Sequence, residues 1–303
     1  MAEPLAFDAD VLVVGAGPAG LALGAALADI GLRVTLLEQQ TRDALEDPAE
    51  DGREIALTHR ARRVMEDLGL WSGLPASAVA PLKAAHVVDG SSPLVLQFGE
   101  EARGGGPLGW LVPNHLIRRA AWLAATARPR VQVVCDAHVT GIERTAQAAH
   151  VTLADGRRFG GRLLVAADSR FSSTRRLAGI GAAMHDFGRS VVVGRVQHTR
   201  DHGGVALECF RYGNTLALLP MNERQSSAVV TLPADGAADW LSLSDDAFAA
   251  RIQAQSEGRL GPMTAVGPRH HYPLVGVYAQ RFVAPRFALI GDAAVGMHPV
   301  TAH

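Results

Sequence analysis

The apolar positions of this chain change period several times along its length. Residues 11–14 read VLVV, an unbroken and mostly β-branched apolar run, as expected of a parallel strand buried on both faces. GAGPAG follows, then an apolar stretch to about Ile30 that reads as a helix. Pro18 falls in its first turn, where a missing N–H costs nothing, and Gly31 is its stop. RVTLLE (33–38) is a second strand, so the chain opens on a β–α–β unit. Residues 11–28 carry no charge and are long enough to cross a bilayer, but their glycines and proline divide them, and a transmembrane segment is rejected.

Beyond this unit the pattern loosens. Residues 41–52 are acidic and loop-like, and 99–107 (GEEARGGGP) form a second flexible stretch. VQVVCDAHVTGIER, HVTLADGRRF and GRLLVAADS then read as strands, with Asp155 and Gly156 as a hairpin turn. From Ser190 to Leu232 four short alternating runs, separated by RYGN and MNER, read as an antiparallel meander. DDAFAARIQAQSEG reads as a helix, and FALIGD returns to a buried strand ending at an acid. The pattern describes a nucleotide-binding unit built from separated segments, with a sheet domain inserted between them.

Composition narrows the function classes. Apolar residues make up 48% and charged residues 19% of 303, which suits a globular protein with a sizeable core. The net charge of −1 gives no reason to expect nucleic acid or an anionic membrane as partner. The two cysteines, Cys135 and Cys209, have no CxxC spacing. Cys135 sits in an apolar run and reads as a buried, inert thiol, compatible with a reducing cytoplasm. The acidic start MAEPLAFDAD lacks the basic region of a signal peptide.

The chemistry begins at Gly15, Gly17 and Gly20, a GxGxxG set between strand and helix. Gly15 permits the tight turn, Gly17 lets the backbone approach a pyrophosphate, and Gly20 lets the helix pack on the strand. Glu38 ends the second strand near the spacing expected of a ribose ligand, and its charge disfavours a 2′-phosphate. The site is expected to hold FAD or NAD and not NADP. No second fingerprint is present: GIGAAM lacks the third glycine and GGGPLG follows no strand. His270 and His271 invite a metal reading, but adjacent positions on a strand point apart and no carboxylate or cysteine stands at ligand spacing, so no metal is assigned.

Four separated motifs carry a resemblance to the class A flavoprotein aromatic hydroxylases, which share the para-hydroxybenzoate hydroxylase fold, and within them to the ubiquinone-biosynthesis hydroxylases. They are GAGPAG…LLE; DGREIALTHRARRVMEDLGLW; LVAADSRFSSTRR, similar to DGxxSxxR; and YPLVGVYAQRFVAPRFALIGDAAVGMHP, similar to the GD motif. VPNHLIRRAAW is a weaker match. The resemblance implies an α/β fold, with a Rossmann-like FAD-binding domain of the GR2 type over 1–185, including a substrate-side excursion near 71–98. An antiparallel-sheet substrate domain follows over 186–265, and the chain returns to the first domain over 266–303. It implies cofactor contacts from Gly15, Gly17, Pro18, Ala19, Gly20, Glu38, Gln39, Arg53, Arg118, Val139, Asp168, Gly291, Asp292 and Pro299. An independent physical expectation attaches to Asp292: an acid closing a buried strand needs donors to offset its desolvation. The alternatives are a helix cap for Asp292, and for Asp168 a turn acid paired with Arg170 or Arg175. Arg118 and Arg119 are expected to open a helix, and Tyr272 and Pro273 to line the substrate side.

The chain departs from the pattern at Ser169, where the family has glycine and where a positive φ would strain serine. It departs again at Val295 in place of histidine and at VTAH in place of xGQG. These departures resemble a minor branch of 5-demethoxyubiquinol hydroxylases. The implied reaction is hydroxylation of an electron-rich, polyprenylated phenol or quinol, with NADPH reducing FAD and O2 as oxidant. NADPH is expected to bind near the flavin without a Rossmann site of its own, and no catalytic residue is assigned. The expected setting is the cytoplasm, with peripheral association to the inner membrane or to a biosynthetic complex open. Two rivals are a flavin-dependent halogenase, for which Lys83 is the single lysine and WxWxIP is missing, and a shortened, non-catalytic flavin-binding protein. The last expectation concerns the end of the chain at His303, four residues past Pro299. A helix starting there would face the flavin ring, and without it FAD is expected to bind loosely and NADPH to be spent as peroxide.

Overall fold

The computed structural model describes residues 7–90, 92, 94–99, 106–210 and 213–297. β1 (Ala9–Val14) leads through the glycine loop into α1 (Pro18–Asp29), and β2 (Val34–Leu37) returns parallel to β1. All of β2 is buried and β1 nearly so, as an unbroken apolar run requires of a strand covered on both faces. α1 ends at the expected stop, with Gly31 at φ +89°. α2 (Arg42–Glu46) and α3 (His59–Asp67) are capped by the Thr41 and Thr58 hydroxyls, and β3 (Glu54–Leu57) lies between them. β4 (Ala80–Leu82), β5 (Ala84–Asp89), β6 (Val95–Phe98) and β7 (Gly109–Pro113) come next. β3, β7 and β4 form a small antiparallel sheet, whereas β5 and β6 leave to join another.

α4 (Asn114–Thr126) buries Ile117, Ala121, Trp122 and Ala125 in one core with Leu21 and Leu36. It opens at Asn114 directly after Pro113, so Arg118 and Arg119 lie in its second turn and do not open it. β8 (Val131–Val134) runs parallel to β2. Cys135, just beyond it, is partly exposed and not buried as expected, because the strand has already ended; what cover remains pushes its thiol pKa up. β9 (Val139–Arg144), β10 (Ala149–Leu153) and β11 (Arg158–Ala166) follow. β11 begins as the hairpin partner of β10, across a turn with Gly156 at φ +86°, and ends parallel to β1. One strand therefore replaces the two that the sequence suggested on either side of Gly160.

α5 (Ser173–Leu177) separates this region from β12 (Ala182–His198), a strand of 17 residues. The meander is present as β13 (Val205–Phe210), β14 (Thr215–Pro220) and β15 (Gln225–Pro233), closing back on β12. α6 (Ala237–Leu241) and α7 (Asp245–Gln255) cover one face of this sheet, burying Trp240, Phe248 and Ile252 against Leu207, Leu216 and Val230. β16 (Met263–Ala279), also 17 residues, pairs with β12 along nearly its whole length. β17 (Val283–Ala284), β18 (Phe287–Leu289) and β19 (Val295–Gly296) finish the described chain. Among the described residues the strands form three sheets. The first runs β17-β18-β11-β1-β2-β8 with β9 and β10 attached, the second β19-β16-β12-β15-β14-β13-β5-β6, and the third is β3-β7-β4. The domain limits expected at 185/186 and 265/266 both fall inside strands, within β12 and β16.

The second sheet is tied to the rest by buried polar contacts. Arg195 on β12 reaches Glu54 on β3 at 2.8 Å and also pairs with Glu50. The Glu54 side chain is 1% exposed. Desolvation outweighs the pull of Arg195, which is shared between two carboxylates, and pushes the Glu54 carboxyl up to about 7. These groups, with His115 and Asn222, line a cavity of about 350 Å³.

Two outcomes test this packing. A Cβ on Gly20 would stand 2.0 Å from the Gly15 carbonyl oxygen. Gly20→Ala, which would ordinarily favour a helix, should therefore destabilise the chain by about 1–3 kcal/mol in urea titration; a gain in stability would refute the close approach. Between its ordinary value of 4.5 and about 7, the folded chain keeps a Glu54 proton that the unfolded chain has released, so stability falls as pH rises through that window. Glu54→Gln should become more stable relative to wild type by up to roughly 3 kcal/mol between pH 5 and 8. A difference that stays constant with pH would show that Glu54 ionises normally.

Candidate functional site

The parallel strands β18, β11, β1 and β2 end on one side of the first sheet, and the residues that follow each of them meet there: Gly291, Asp168, Gly15 and Glu38. Ligands of open α/β sheets bind at such carboxyl ends. Gly15 holds φ +106°, and a Cβ there would lie 2.5 Å from the Ala167 carbonyl oxygen. The loops after β1 and β11 can touch only because residue 15 has no side chain. Gly17 has nothing within 4 Å of where a Cβ would stand, so its backbone faces open space. No side chain caps α1 and no acid occupies its first turn. The helix thus presents free N–H groups and an uncompensated positive end to the cleft, with Pro18 and Ala19 in its first turn.

Glu38 is 9% exposed and its charge is met by two backbone donors. Ala16 N–H donates to Oε2 at 2.7 Å and Gln40 N–H to Oε1 at 3.0 Å. The Glu38 carbonyl accepts from Ala137 N–H at 2.8 Å, which sets the segment leading to Val139 alongside the acid. Gln39 is exposed beside it. Gln40, which sequence reasoning passed over, does more: its side-chain oxygen accepts from Arg118 at 3.0 Å and so holds that arginine at the cleft's edge. Only its place two residues after Glu38 could have drawn attention to it.

Arg53 lies just before β3, paired with Asp51 at 2.6 Å. Asp51 also accepts from Asn114 at 2.7 Å, and its carbonyl accepts from the Tyr272 hydroxyl at 2.5 Å. The Arg53 guanidinium lies 5.5 Å from the Tyr272 ring centre. Arg53 and Asn114 pull the Asp51 carboxyl below its ordinary value despite the opposing effect of burial. Tyr272 thereby joins the second sheet to the arginine, whereas Pro273 is exposed.

Asp168 is not a salt-bridged turn acid. Its Oδ2 accepts from Thr174 N–H at 3.3 Å, and its Oδ1 is buried without a hydrogen-bond partner. Arg170 turns instead to Asp292 at 3.5 Å. Arg175, 2% exposed, donates to the carbonyls of Ala293 (2.7 Å) and Arg170, tying the loop after β11 to the loop after β18. Ser169 does not have a positive φ, so the strain expected of a serine in place of glycine does not arise. Asp292 is also not desolvated as expected. Its side chain is 57% exposed, because β18 ends at Leu289 and Asp292 sits beyond it on a short turn. Gly291 holds φ +56°, 3.3 Å (as a Cβ) from the Ala19 side chain, so this turn packs on the start of α1. Pro299 lies outside the described residues. Among the described residues no cluster of His, Cys, Asp and Glu could hold a metal, and His270 packs against Gly52.

The donor set suits a dinucleotide. Bare backbone at Gly15 and Gly17 and the open end of α1 suit a pyrophosphate, Glu38 suits a ribose diol, and the orphaned Asp168 Oδ1 awaits a donor. Two solved structures share the fold across 97% of the chain. They are PqsL of Pseudomonas aeruginosa (TM-score 0.80, 21% identity, 81% of that chain) and the flavin-dependent brominase Bmp2 (TM-score 0.74, 19%, 74% of that chain). The ubiquinone hydroxylase UbiM of Neisseria meningitidis is 47% identical over 99% of this chain and 66% of its own length. The ubiquinone hydroxylase UbiL of Rhodospirillum rubrum is 37% identical over 96% of this chain and 68% of its own. The chain thus spans about two thirds of the length of these relatives. A family described as FAD binding domain matches residues 8–303, and the chain belongs to that family.

Proposed function

We propose that this chain is the FAD- and substrate-binding part of a monooxygenase that hydroxylates an electron-rich phenol or quinol, one carrying a polyprenyl tail, with NADPH and O2. The observation that carries the reading is the 47% identity, across 99% of the chain, to a protein named a ubiquinone hydroxylase. The fold alone does not choose, since a brominase has it too. Among the described residues no helix is long and apolar enough to cross a membrane.

Bound FAD would take electrons from NADPH and pass them to O2, and so supply the chemistry that places one oxygen atom on the ring. The chain's own residues do the rest. Gly15, Gly17 and the start of α1 receive the pyrophosphate, Glu38 the adenosine ribose, and Arg53 and Arg118 add positive charge at the rim. Asp168 and Asp292 accept hydrogen bonds from the remaining hydroxyls. The second sheet brings its free face, with Tyr272, against Arg53 and so walls the cleft from water.

Loaded with FAD, a protein that carries this chain and has the full length of these relatives is expected to consume NADPH in the presence of a short-tailed quinol and yield hydroxylated product, followed by chromatography of product per NADPH. FAD binding without any hydroxylated product would favour a flavin-binding role instead. Glu38→Gln, which removes the charge yet keeps the shape, should weaken FAD by about 1–3 kcal/mol in calorimetry. Equal affinity in the two proteins would remove Glu38 from the site.

A further inference from the structure

The free face of the second sheet carries an acid where its pattern calls for an apolar residue. The strand register aligns Val87, Glu208, Ala217, Val229 and Val193 in one row across β5, β13, β14, β15 and β12. Side chains along such a row share a face. Their neighbours in sequence, Leu207 and Cys209, enter the core under α7 with Phe248 and Ile252. Glu208 therefore points the other way, to the side on which Tyr272 reaches Asp51 and Arg195 reaches Glu54, which is the side of the small β3-β7-β4 sheet and of Arg53.

Among the described residues nothing around Glu208 explains it structurally. Val87 and Ala217 flank it across the strands and offer no side-chain donor. Asp89, on the same face, is one row away opposite Phe210, and Lys83 stands at Gly204, beyond the start of β13. β4, packed on β14, brings Ala80, Pro81 and Leu82. Among the described residues no charged neighbour acts on the acid, and burial pushes its carboxyl up to about 7. A carboxylate placed among apolar side chains is costly until a donor arrives.

We propose that Glu208 receives the ring hydroxyl of the substrate, as acceptor of its hydrogen bond and then of its proton. The O–H bond breaks, its electron pair stays on the ring oxygen and enriches the ring, and the proton forms a new O–H bond on the Glu208 carboxylate. A neutral acid and a phenolate replace a carboxylate and a phenol, with no change in oxidation state. The apolar row holds the ring and its tail while the one acid fixes which edge of the ring faces the sheet. The inference rests on the hydroxylase reading above.

The test uses the FAD-loaded chain and two probes, a methoxyphenol bearing one prenyl unit and its methyl ether, titrated by the change in flavin absorbance between pH 6 and 9. The phenol should bind about tenfold more tightly than the ether above pH 8. That preference should shrink toward pH 6, where the acid is protonated. Glu208→Gln should lose the pH dependence and most of the preference while keeping its FAD affinity. Glu208→Asp should keep the pH dependence with a smaller preference. Equal phenol-to-ether ratios in wild type and Glu208→Gln at every pH would overturn the role of Glu208 and leave the hydroxylase reading standing. A wild-type protein that holds FAD but binds neither probe would overturn both.

Discussion

The rest of the molecule depends on a backbone contact that no side chain makes. The loop after β1 touches the loop after β11 at Gly15 and Ala167, and the first turn of α1 lies on Gly15 through Gly20. Each approach is closer than a Cβ would allow. Together they aim the start of α1 along the strand ends, where its N–H groups find no partner inside the protein. Glu38 is then drawn in by Ala16 N–H, and through its carbonyl the Ala137 segment follows. The order of events is geometric: remove the contact and the acid loses the donor that makes its burial tolerable.

The second sheet is joined to this frame by polar contacts, among which the Glu54 carboxyl is taken fully out of water. Arg195 holds Glu54 and Glu50, Tyr272 holds the backbone of Asp51, and Asp51 in turn orients Arg53. Such pairs cost desolvation and return specificity of placement more than net stability. That trade suits a site in which an arginine near a cofactor must sit at a set distance from a sheet that faces a substrate. It also leaves Glu54 with a carboxyl that holds its proton far above the usual range.

What the sequence made legible was local. The β–α–β opening, the stop at Gly31, the Asp155 and Gly156 turn and the meander are each written in a few consecutive residues whose periodicity or φ demand is unambiguous. Glu38 could be found because its spacing from the glycines is fixed by the length of one helix and one strand. The misreadings were of burial and of partners far off in the chain. Asp292 follows an apolar run yet is exposed, since the strand ends at Leu289 and Asp292 lies on the turn beyond it. Asp168 stands among arginines that turn elsewhere, Arg170 to Asp292 and Arg175 to the Ala293 carbonyl, 118 residues from it in sequence. Arg195 and Glu54 are 141 positions apart, and no local pattern couples them. The alternation of VALECF shows that Glu208 opposes Leu207 and Cys209, but not which face the helices cover.

β12 and β16 carry a mechanical consequence. Two 17-residue strands, hydrogen-bonded to each other, pass from the second sheet toward the loops that frame the cleft, so a paired ribbon joins the two halves there. A paired ribbon resists stretching and sliding, since either would break a ladder of bonds at once, but it can flex where the ladder is interrupted. The pairing shifts register between Asp186 and Ser190, with Gly188 at φ +63° in the gap. Bending at that point would tilt the second sheet over the strand ends like a leaf spring, changing the width of the cleft while leaving both cores intact.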